Sequence, residues 1–301
     1  MKNVLSVDVE DYFQVEAFAS RVRFEEWDFY ERRVERNVDR ILELFDKYQA
    51  KATFFVLGWV AEKIPNLSKR IAKAGHEIGC HGFAHRRLQT LTPDQFRDDL
   101  RKATHILNDQ VQRPIRSFRA PSFSIVKSTM WALDILAEEG YTFDSSLFPV
   151  RHDLYGIPDA DRFPYWHTTP KGNWVFEFPP STIRKVQNNW GVAGGGYLRL
   201  VPYGATQWAI RHINRMEQQP VMVYFHPWEI DPAQPVIQAG IRSTLRHYTN
   251  LRTMAAKLEH LLRDFEFTTL SDAAIQHEAY SRRANSRVTA ESLARPAGAE
   301  T

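Results

Sequence analysis

Three carboxylates stand close together in the stretch SVDVEDYF, at Asp8, Glu10 and Asp11, directly after the apolar run VLSV. Acidic residues are poor strand formers, so their position at the end of a strand-like run indicates a chemical role. Side chains alternate along a strand, which places Asp8 and Glu10 on one face and predicts that Asp11 points away unless a turn intervenes. An acidic turn exposed to solvent is the alternative interpretation.

The motif HGFAH places His81 and His85 four residues apart, just after the strand-like run HEIGC. On a helix this spacing puts both imidazoles on one face, which suits two ligands of one metal ion. A carboxylate from SVDVEDYF would complete a set of two histidines and one acid that leaves positions for water and substrate. Zinc, iron, nickel and cobalt all accept this set. Two surface or capping histidines are the alternative interpretation.

Three more polar residues end strand-like runs. His226 follows VMVYF and precedes a proline, a position from which an imidazole could transfer protons near neutral pH. Arg119 in SFRAPSF needs a carboxylate partner if it points inward, and Asp144 in TFDSS holds the same topological position in the next run. A hydrogen-bonded core histidine and two surface residues are the alternatives.

The glycine-rich stretch GVAGGGYLRL matches neither the phosphate-loop pattern nor the dinucleotide-binding pattern. A flexible substrate loop is therefore the expectation for this stretch. Several aromatic residues could stack on sugar rings, although packing in the core explains such residues as readily. They are Tyr155, Tyr165, Trp166, Trp174 and Trp190.

Short apolar runs alternate with helical periodicity, as in VLSVDV, RRVERNVDRILELFDKYQ and ATFFVLG. This alternation is typical of βαβ units and favours a distorted parallel α/β barrel of about seven strands over an open sheet. Further strands are predicted at RSFRA, TFDSS, WVFEF, VMVYFH and EFTTL, and helices near residues 128–139, 205–217 and 250–264. The segment 145–200 is rich in Pro, Gly and aromatics, and we expect it to form loops over the barrel mouth.

Composition limits the classes of partner. The 301 residues carry 39 basic and 36 acidic side chains, so the charge is too balanced to indicate a nucleic-acid surface. The single cysteine, Cys80, excludes an internal disulfide, and no apolar run reaches the length of a membrane span. We expect a cytoplasmic protein with one domain over residues 1–280 and a disordered tail over 281–301.

Taken in order, these motifs resemble those of the polysaccharide deacetylases of the NodB-homology type, carbohydrate esterase family 4. SVDVED is similar to the acid motif TFDD, HGFAH to HxxxH, RAPSF to RxPxG, FDSS to DxS, and YFHPWE to LxH. The resemblance covers about residues 3–270. The sequence departs from the family at Val9 between two acids, at Cys80 where Asn is common, and at Phe123 where Gly is usual.

The resemblance implies a distorted parallel barrel, a divalent metal ion that is usually zinc, and removal of N- or O-acetyl groups from sugars. We expect hydrolysis of an N-acetyl group on a hexosamine unit of a bacterial polysaccharide. Asp8 would act as base and Glu10 as metal ligand beside His81 and His85, with Asp11 as the alternative ligand.

His226 would protonate the leaving amine, with Asp144 raising its pKa and fixing its tautomer, while Arg119 would keep Asp8 ionised. A backbone N–H of the loop from Ser122 to Phe123 would hold the oxyanion. Tyr197 in GGGYLRL and Trp228 in YFHPWE are assigned to contact the glycan.

The segments FPVRHDLYGIPDADRFPY, GGGYLRL and YFHPWEIDP further resemble a subgroup encoded beside bacterial exosortase and exopolysaccharide loci. That resemblance implies a role in making or tailoring an exopolysaccharide, as found in biofilms. Two other functions stay open. One is a metal-dependent hydrolase of small cyclic amides or ureides, and the other is a sugar-binding module without catalysis.

Overall fold

The computed structural model describes residues 1–192 and 194–277. The predicted disordered tail at 281–301 lies outside the described residues, as do the last three residues of the predicted domain. Within the described part of the chain, no helix is long and apolar enough to cross a membrane.

The described residues form a mixed α/β fold around one large, mostly parallel sheet. Its strands are β1 (Asn3–Val9), β2 (Thr53–Val56), β3 (Glu77–Cys80), β4 (Ser117–Phe118), β5 (Phe143–Asp144), β6 (Tyr165–Thr168), β7 (Trp174–Glu177), β10 (Met222–Phe225) and β11 (Phe267–Thr268). The strands β8 (Thr182–Lys185) and β9 (Asn188–Gly191) form a separate antiparallel hairpin.

The strand order is β10, β1, β2, β3, β4, β5, β7 and β6, and β11 pairs with the start of β1. Every neighbouring pair from β10 to β7 is parallel, and only β6 runs antiparallel at the edge. The fold is therefore a curled α/β half-barrel with seven parallel strands in a row, which confirms the predicted distorted parallel barrel of about seven strands.

The helices that cover the sheet are α1 (Val34–Lys47), α2 (Gly58–Lys63), α3 (Leu67–Lys73), α4 (Pro93–Val111), α5 (Trp131–Glu138), α6 (Gly195–Leu200), α7 (Tyr203–Met216), α8 (Ile241–Tyr248), α9 (Leu251–Asp264) and α10 (Leu270–Gln276). The start of α4 shows why they begin where they do. The Thr92 side chain accepts the Gln95 N–H, Gln95 reaches back to the Thr92 N–H, and Pro93 fills the first helical position.

Alternation along β1 decides which side chains reach the site. Leu5, Val7 and Val9 are fully buried in the main hydrophobic core. Ser6 and Asp8 lie on the other face of the strand, where one guanidinium nitrogen of Arg119 contacts both. Because the core takes the apolar face of β1, the polar face with Asp8 is directed towards Arg119.

The expectation of loops over residues 145–200 describes only part of that segment. Residues 145–164 contain no helix or strand. Residues 165–200 instead add two strands to the main sheet, the β8–β9 hairpin and helix α6. The glycine run is also not a free loop, because Gly195 begins α6 and Gly194 bridges to Tyr224 of β10.

Candidate active site

The carboxyl ends of β1 and β3 bring together a possible metal-binding cluster. Glu10, His81 and His85 each offer one ligand atom, and these three atoms lie within 4.8 Å of one another. Glu10 Oε2 is 2.9 Å from His85 Nε2. Two imidazoles and one carboxylate are donors that zinc and other first-row metals prefer, so the residues present fit the metal ion that the sequence implies.

Hydrogen bonding fixes the tautomer of His81. Its Nδ1 lies 2.8 Å from the carbonyl oxygen of Arg119, which can only accept, so Nδ1 carries the proton. The lone pair of Nε2 is then left for a metal ion, as in most histidine ligands whose second nitrogen is held by the protein. Burial lowers the pKa of His81 to about 4, which keeps the ring neutral at physiological pH.

The HGFAH segment is not the helical turn that its spacing suggests. It leaves β3 as an irregular loop, with positive φ angles at Gly82 (72°) and His85 (50°). Asp99 of α4 holds this loop by accepting the Phe83 N–H at 2.7 Å. The loop, rather than a helix face, brings the two imidazole centroids to 5.4 Å.

Asp11 lies apart from this cluster. Its Oδ2 accepts the backbone N–H groups of Arg33 (2.6 Å) and Val34 (2.9 Å), and its Oδ1 accepts that of Tyr12 (3.0 Å). It therefore caps the start of α1, the bracing role that strand alternation allows for it. Burial raises the pKa of Asp11 to about 6, although these backbone N–H groups act in the opposite direction.

Asp8 and Arg119 form a fully buried ion pair beside the cluster. Arg119 Nη1 donates to Asp8 Oδ1 at 2.7 Å, and the other guanidinium nitrogens bind Ser145. The carboxylate partner that the sequence requires for an inward Arg119 is thus Asp8. Because Asp8 Oδ1 is occupied, the other oxygen, Oδ2, is the one that faces His226, at 3.9 Å from its Nε2.

The partner of His226 differs from the sequence prediction. His226 Nδ1 lies 3.2 Å from Glu229 Oε2, which also accepts the His226 backbone N–H at 3.0 Å. Arg199 then donates to Glu229 Oε1 at 2.6 Å. Burial alone would lower the pKa of His226, but the charges of Glu10 and Glu229 raise it to about 9.

Asp144 therefore does not orient His226, and the assignment is wrong in this respect. Asp144 Oδ1 accepts the Ser146 hydroxyl at 2.6 Å, and its main charge partner is Glu177 of β7. Both carboxyls are fully buried, and burial raises the pKa of each. Like charges that are buried close together disfavour ionisation of both groups, which acts in the same direction as burial on the pKa of Glu177.

The loop after β4 offers one backbone donor rather than two. Ser122 (φ 54°) and Phe123 (φ 51°) are both left-handed, which is the conformation that a glycine adopts more easily. The Phe123 N–H already donates to the Ala120 carbonyl at 3.0 Å. Among the described residues, no acceptor for the Ser122 N–H is found, so Ser122 is the better candidate for an oxyanion contact.

One cleft of about 490 Å³ is lined by the possible metal-binding cluster together with Asp8, Ser122 and His226. Trp228 borders it, but it is only 5% exposed and its ring lies between His226 and His247. Its indole N–H points to Glu10 Oε1 at 3.4 Å. Trp228 thus supports the acidic and imidazole groups and offers little surface to a glycan. Tyr197 lines a neighbouring cleft instead.

Sequence reasoning missed Glu229 and Arg199, the pair that holds His226. The signal for Glu229 was present in HPWE, because an acid three residues after a histidine can close a capping box at the strand end. Arg199 could not be assigned in the same way. It reaches Glu229 and the carbonyls of residues 246, 247 and 249 across long sequence separations.

Two known families match successive parts of the chain. Residues 27–143 match the family described as polysaccharide deacetylase, and residues 145–274 match a domain of unknown function, DUF3473. β10, from the second segment, pairs with β1, so both segments contribute to one sheet.

Curated relatives match only part of the chain. A peptidoglycan-N-acetylglucosamine deacetylase of Bacillus cereus is 30% identical over 146 residues, which are 44% of this chain and 52% of that protein. A peptidoglycan deacetylase of Helicobacter pylori is 32% identical over 113 residues, 38% of each protein. The chain thus covers about half or less of the length of these relatives.

Solved structures share the fold. A Mycobacterium smegmatis protein described as a polysaccharide deacetylase has a TM-score of 0.58 and 20% identity, covering 100% of this chain and 95% of that one. The Puue allantoinase has a TM-score of 0.56 and 15% identity, covering 93% and 91%. Residues 27–143 are thus similar to polysaccharide deacetylases and residues 145–274 to DUF3473, and the solved structures share the fold of the chain.

Proposed function

We propose that this protein is a metal-dependent deacetylase that hydrolyses N-acetyl groups on hexosamine units of a bacterial polysaccharide. The observation that carries the proposal is the meeting of three groups in one cleft: the Glu10, His81 and His85 cluster, the buried Asp8 carboxylate, and the His226 imidazole. Hydrolysis of an amide requires an electrophile at the carbonyl, a base for water and an acid for the amine, and each has a candidate.

Glu10, His81 and His85 would hold the metal ion, which supplies Lewis-acid polarisation of the acetyl carbonyl and activation of water. We propose zinc, because it accepts this donor set. The neutral His81 with its proton on Nδ1 and the ionised Glu10 are in the protonation states that ligands need. Although burial would raise the pKa of Glu10, the imidazoles of His85 and His226 lower it to about 2.

Asp8 would take the proton of the attacking water through Oδ2, since Oδ1 is bound to Arg119. As the new C–O bond forms, the acetyl oxygen gains negative charge, and the Ser122 N–H would stabilise it. His226 would then donate the proton on Nε2 to the amine nitrogen as the C–N bond breaks. Glu229 keeps His226 protonated on Nδ1 and fixes the ring, so it acts as a positioning residue.

The substrate class follows from relatives and not from the cleft itself. The B. cereus and H. pylori relatives are described as peptidoglycan deacetylases, and a Bradyrhizobium relative as a chitooligosaccharide deacetylase. These names support an N-acetylated glycan as the substrate. The more specific exopolysaccharide and biofilm role, and a cytoplasmic location, are proposals that rest on the sequence alone.

A small cyclic ureide is the second candidate substrate, because the allantoinase shares the fold over most of both chains. At 15% identity that likeness concerns the fold only. The two candidates differ in product, since a deacetylase releases acetate whereas ring opening of allantoin does not.

The test measures acetate release by zinc-loaded protein from N-acetylglucosamine oligomers and from peptidoglycan fragments, with allantoin as the ureide probe. Zinc content is measured on the same samples. We expect acetate from the glycans, and Asp8→Asn should keep its zinc but lose most of the activity, because an amide cannot accept the proton. Allantoin hydrolysis without acetate release, or full activity of Asp8→Asn, would refute the proposal.

A further inference from the structure

A second cleft, of about 550 Å³, adjoins the catalytic cleft. Tyr155, Gly196, Tyr224 and Arg246 line both clefts, so the two clefts adjoin at these residues. Most of the remaining lining comes from residues 183–209, in the β8–β9 hairpin and in α6 and α7. This part of the chain lies within the DUF3473 segment, to which no function is assigned.

Two tryptophans from different elements form sides of this second cleft. Trp190 of β9 is 58% exposed, and Trp208 of α7 is 59% exposed. Large aromatic rings cost free energy when water covers them, and neighbouring exposed rings around a depression are typical of a binding site. A cleft of this volume is within the range of small-molecule sites, about 300–1,000 Å³.

A buried hydroxyl in the same cleft also points to a ligand. The Thr206 side chain is 1% exposed, and its Oγ1 has no hydrogen-bond partner among the described residues. Such an atom costs free energy unless a bound group or water satisfies it. Arg246, exposed where the two clefts adjoin, adds guanidinium donors, one of which contacts Tyr155.

The glycines of GVAGGGYLRL lie beside the second cleft. A Cβ at Gly191 would lie 2.7 Å from the Tyr197 ring, and one at Gly194 would lie 2.0 Å from the Tyr224 ring. Only glycine lets the backbone approach these rings so closely. The glycine backbone therefore packs directly against Tyr197 and Tyr224, two residues that line the second cleft.

We propose that the second cleft binds the neighbouring pyranose units of the glycan chain whose N-acetyl group enters the catalytic cleft. A pyranose ring has an apolar C–H face that stacks on tryptophan and hydroxyls that pair with groups such as Thr206 and Arg246. Because four residues line both clefts, the occupant that we infer is a further part of the chain whose acetylated unit lies in the catalytic cleft. The inference rests on the proposed function and deepens it, since it predicts that the protein prefers longer glycan chains over short oligomers.

The test compares the binding of N-acetylglucosamine dimer and pentamer by calorimetry in an Asp8→Asn background, which prevents turnover. Trp190→Ala and Trp208→Ala should weaken pentamer binding about tenfold or more and leave dimer binding within about twofold. Thr206→Val keeps the shape of the side chain and should weaken pentamer binding by a smaller factor. Met216→Ala, an exposed residue on the same helix as Trp208 but outside the cleft, is the matched control.

Equal binding of dimer and pentamer by the parent protein, absence of binding, or unchanged pentamer affinity in both tryptophan variants would overturn the inference. The same holds if these variants keep pentamer affinity but lose binding to phosphatidylglycerol vesicles, because the tryptophans would then face a membrane. Acetate release is a separate measurement. A pentamer preference that depends on Trp190 and Trp208, in a protein that releases no acetate, would support the second cleft while refuting the proposed function.

Discussion

Glu10→Gln and Asp11→Asn should separate metal binding from stability, although the two acids are neighbours in sequence. Both side chains are almost fully buried, at 2% and 1% exposure. Glu10 faces the imidazoles, whereas Asp11 faces three backbone N–H groups. Each substitution removes one charge and keeps the shape of the side chain, so each variant is the matched control of the other.

Glu10→Gln should lose zinc. Glu10 is the only carboxylate in the described three-residue cluster, so its amide variant leaves two neutral imidazoles as ligands. Loss of a residue that merely hydrogen-bonds a ligand weakens metal binding by about 10- to 100-fold. Loss of the anionic ligand itself should weaken zinc binding by more than this factor, so the dialysed variant should retain little zinc.

Asp11→Asn should keep zinc and lose stability. An asparagine has one oxygen for three N–H donors, and an unsatisfied buried donor costs about 1–3 kcal/mol. Burial of the charge, which raises the pKa of Asp11 to about 6, offsets part of this loss at pH 7. We expect Asp11→Asn to lower the free energy of unfolding by about 1–2 kcal/mol at pH 7. Because the pKa of Asp11 is raised in the folded protein, its contribution to wild-type stability is largest at pH 4 and is lost as the pH rises to about 6. The difference in stability between wild type and Asp11→Asn should therefore be larger at pH 4 than at pH 7.

The assay measures zinc per chain by mass spectrometry after dialysis, and the free energy of unfolding of metal-free protein at pH 4 and pH 7. The reverse order, with zinc retained by Glu10→Gln and lost by Asp11→Asn, would refute the geometric assignment. A metal-free Asp11→Asn protein as stable as wild type would refute the capping argument.

Two further predictions concern the proton donor and the strained loop. The alkaline limb of the kcat/KM profile should report the pKa of His226, which is raised to about 9. Glu229→Gln should lower this limb by about 1–2 pH units, because it removes a negative charge 3.2 Å from His226 Nδ1. The pH–rate profile tests this, with Glu16→Gln in the same cleft as control. Phe123→Gly should lower the free energy of unfolding by about 2 kcal/mol, because the cavity costs about 4 kcal/mol and relief of backbone strain returns about 2 kcal/mol. Denaturant unfolding measures it, and a variant as stable as wild type would contradict this balance.

Local patterns predicted the parts of the site that depend on strands. Alternation along β1 placed Asp8 and Glu10 on the polar face and Asp11 apart, and the structure shows the same arrangement. Polar residues after apolar runs pointed to the carboxyl ends of β3, β4 and β10, where parallel strands bring side chains together. These predictions succeed because the period of a strand is a local property.

Contacts between distant segments could not be predicted in this way. Asp144 and Glu229 both follow candidate strands or end them. The three-residue spacing in HPWE is a local sign for Glu229 as the partner of His226, but no local pattern excludes Asp144. The sheet decides it, because β5 pairs with β7 and brings Asp144 against Glu177. The four-residue spacing between the histidines of HGFAH was likewise ambiguous. It suits a helix, but here a loop held by Asp99 brings the two imidazoles together.

The division into two matched segments does not divide the site. His81, His85 and Arg119 lie in the deacetylase segment, whereas His226 and Glu229 lie in the DUF3473 segment. β1 precedes both, and it pairs with β2 on one side and β10 on the other. Asp8 lies in this shared strand and Glu10 follows it directly, so the proposed base and the proposed acidic ligand lie between the groups of the two matched segments. Neither matched segment alone contains all the groups that the proposed hydrolysis requires, so that proposal makes the DUF3473 segment part of the catalytic unit.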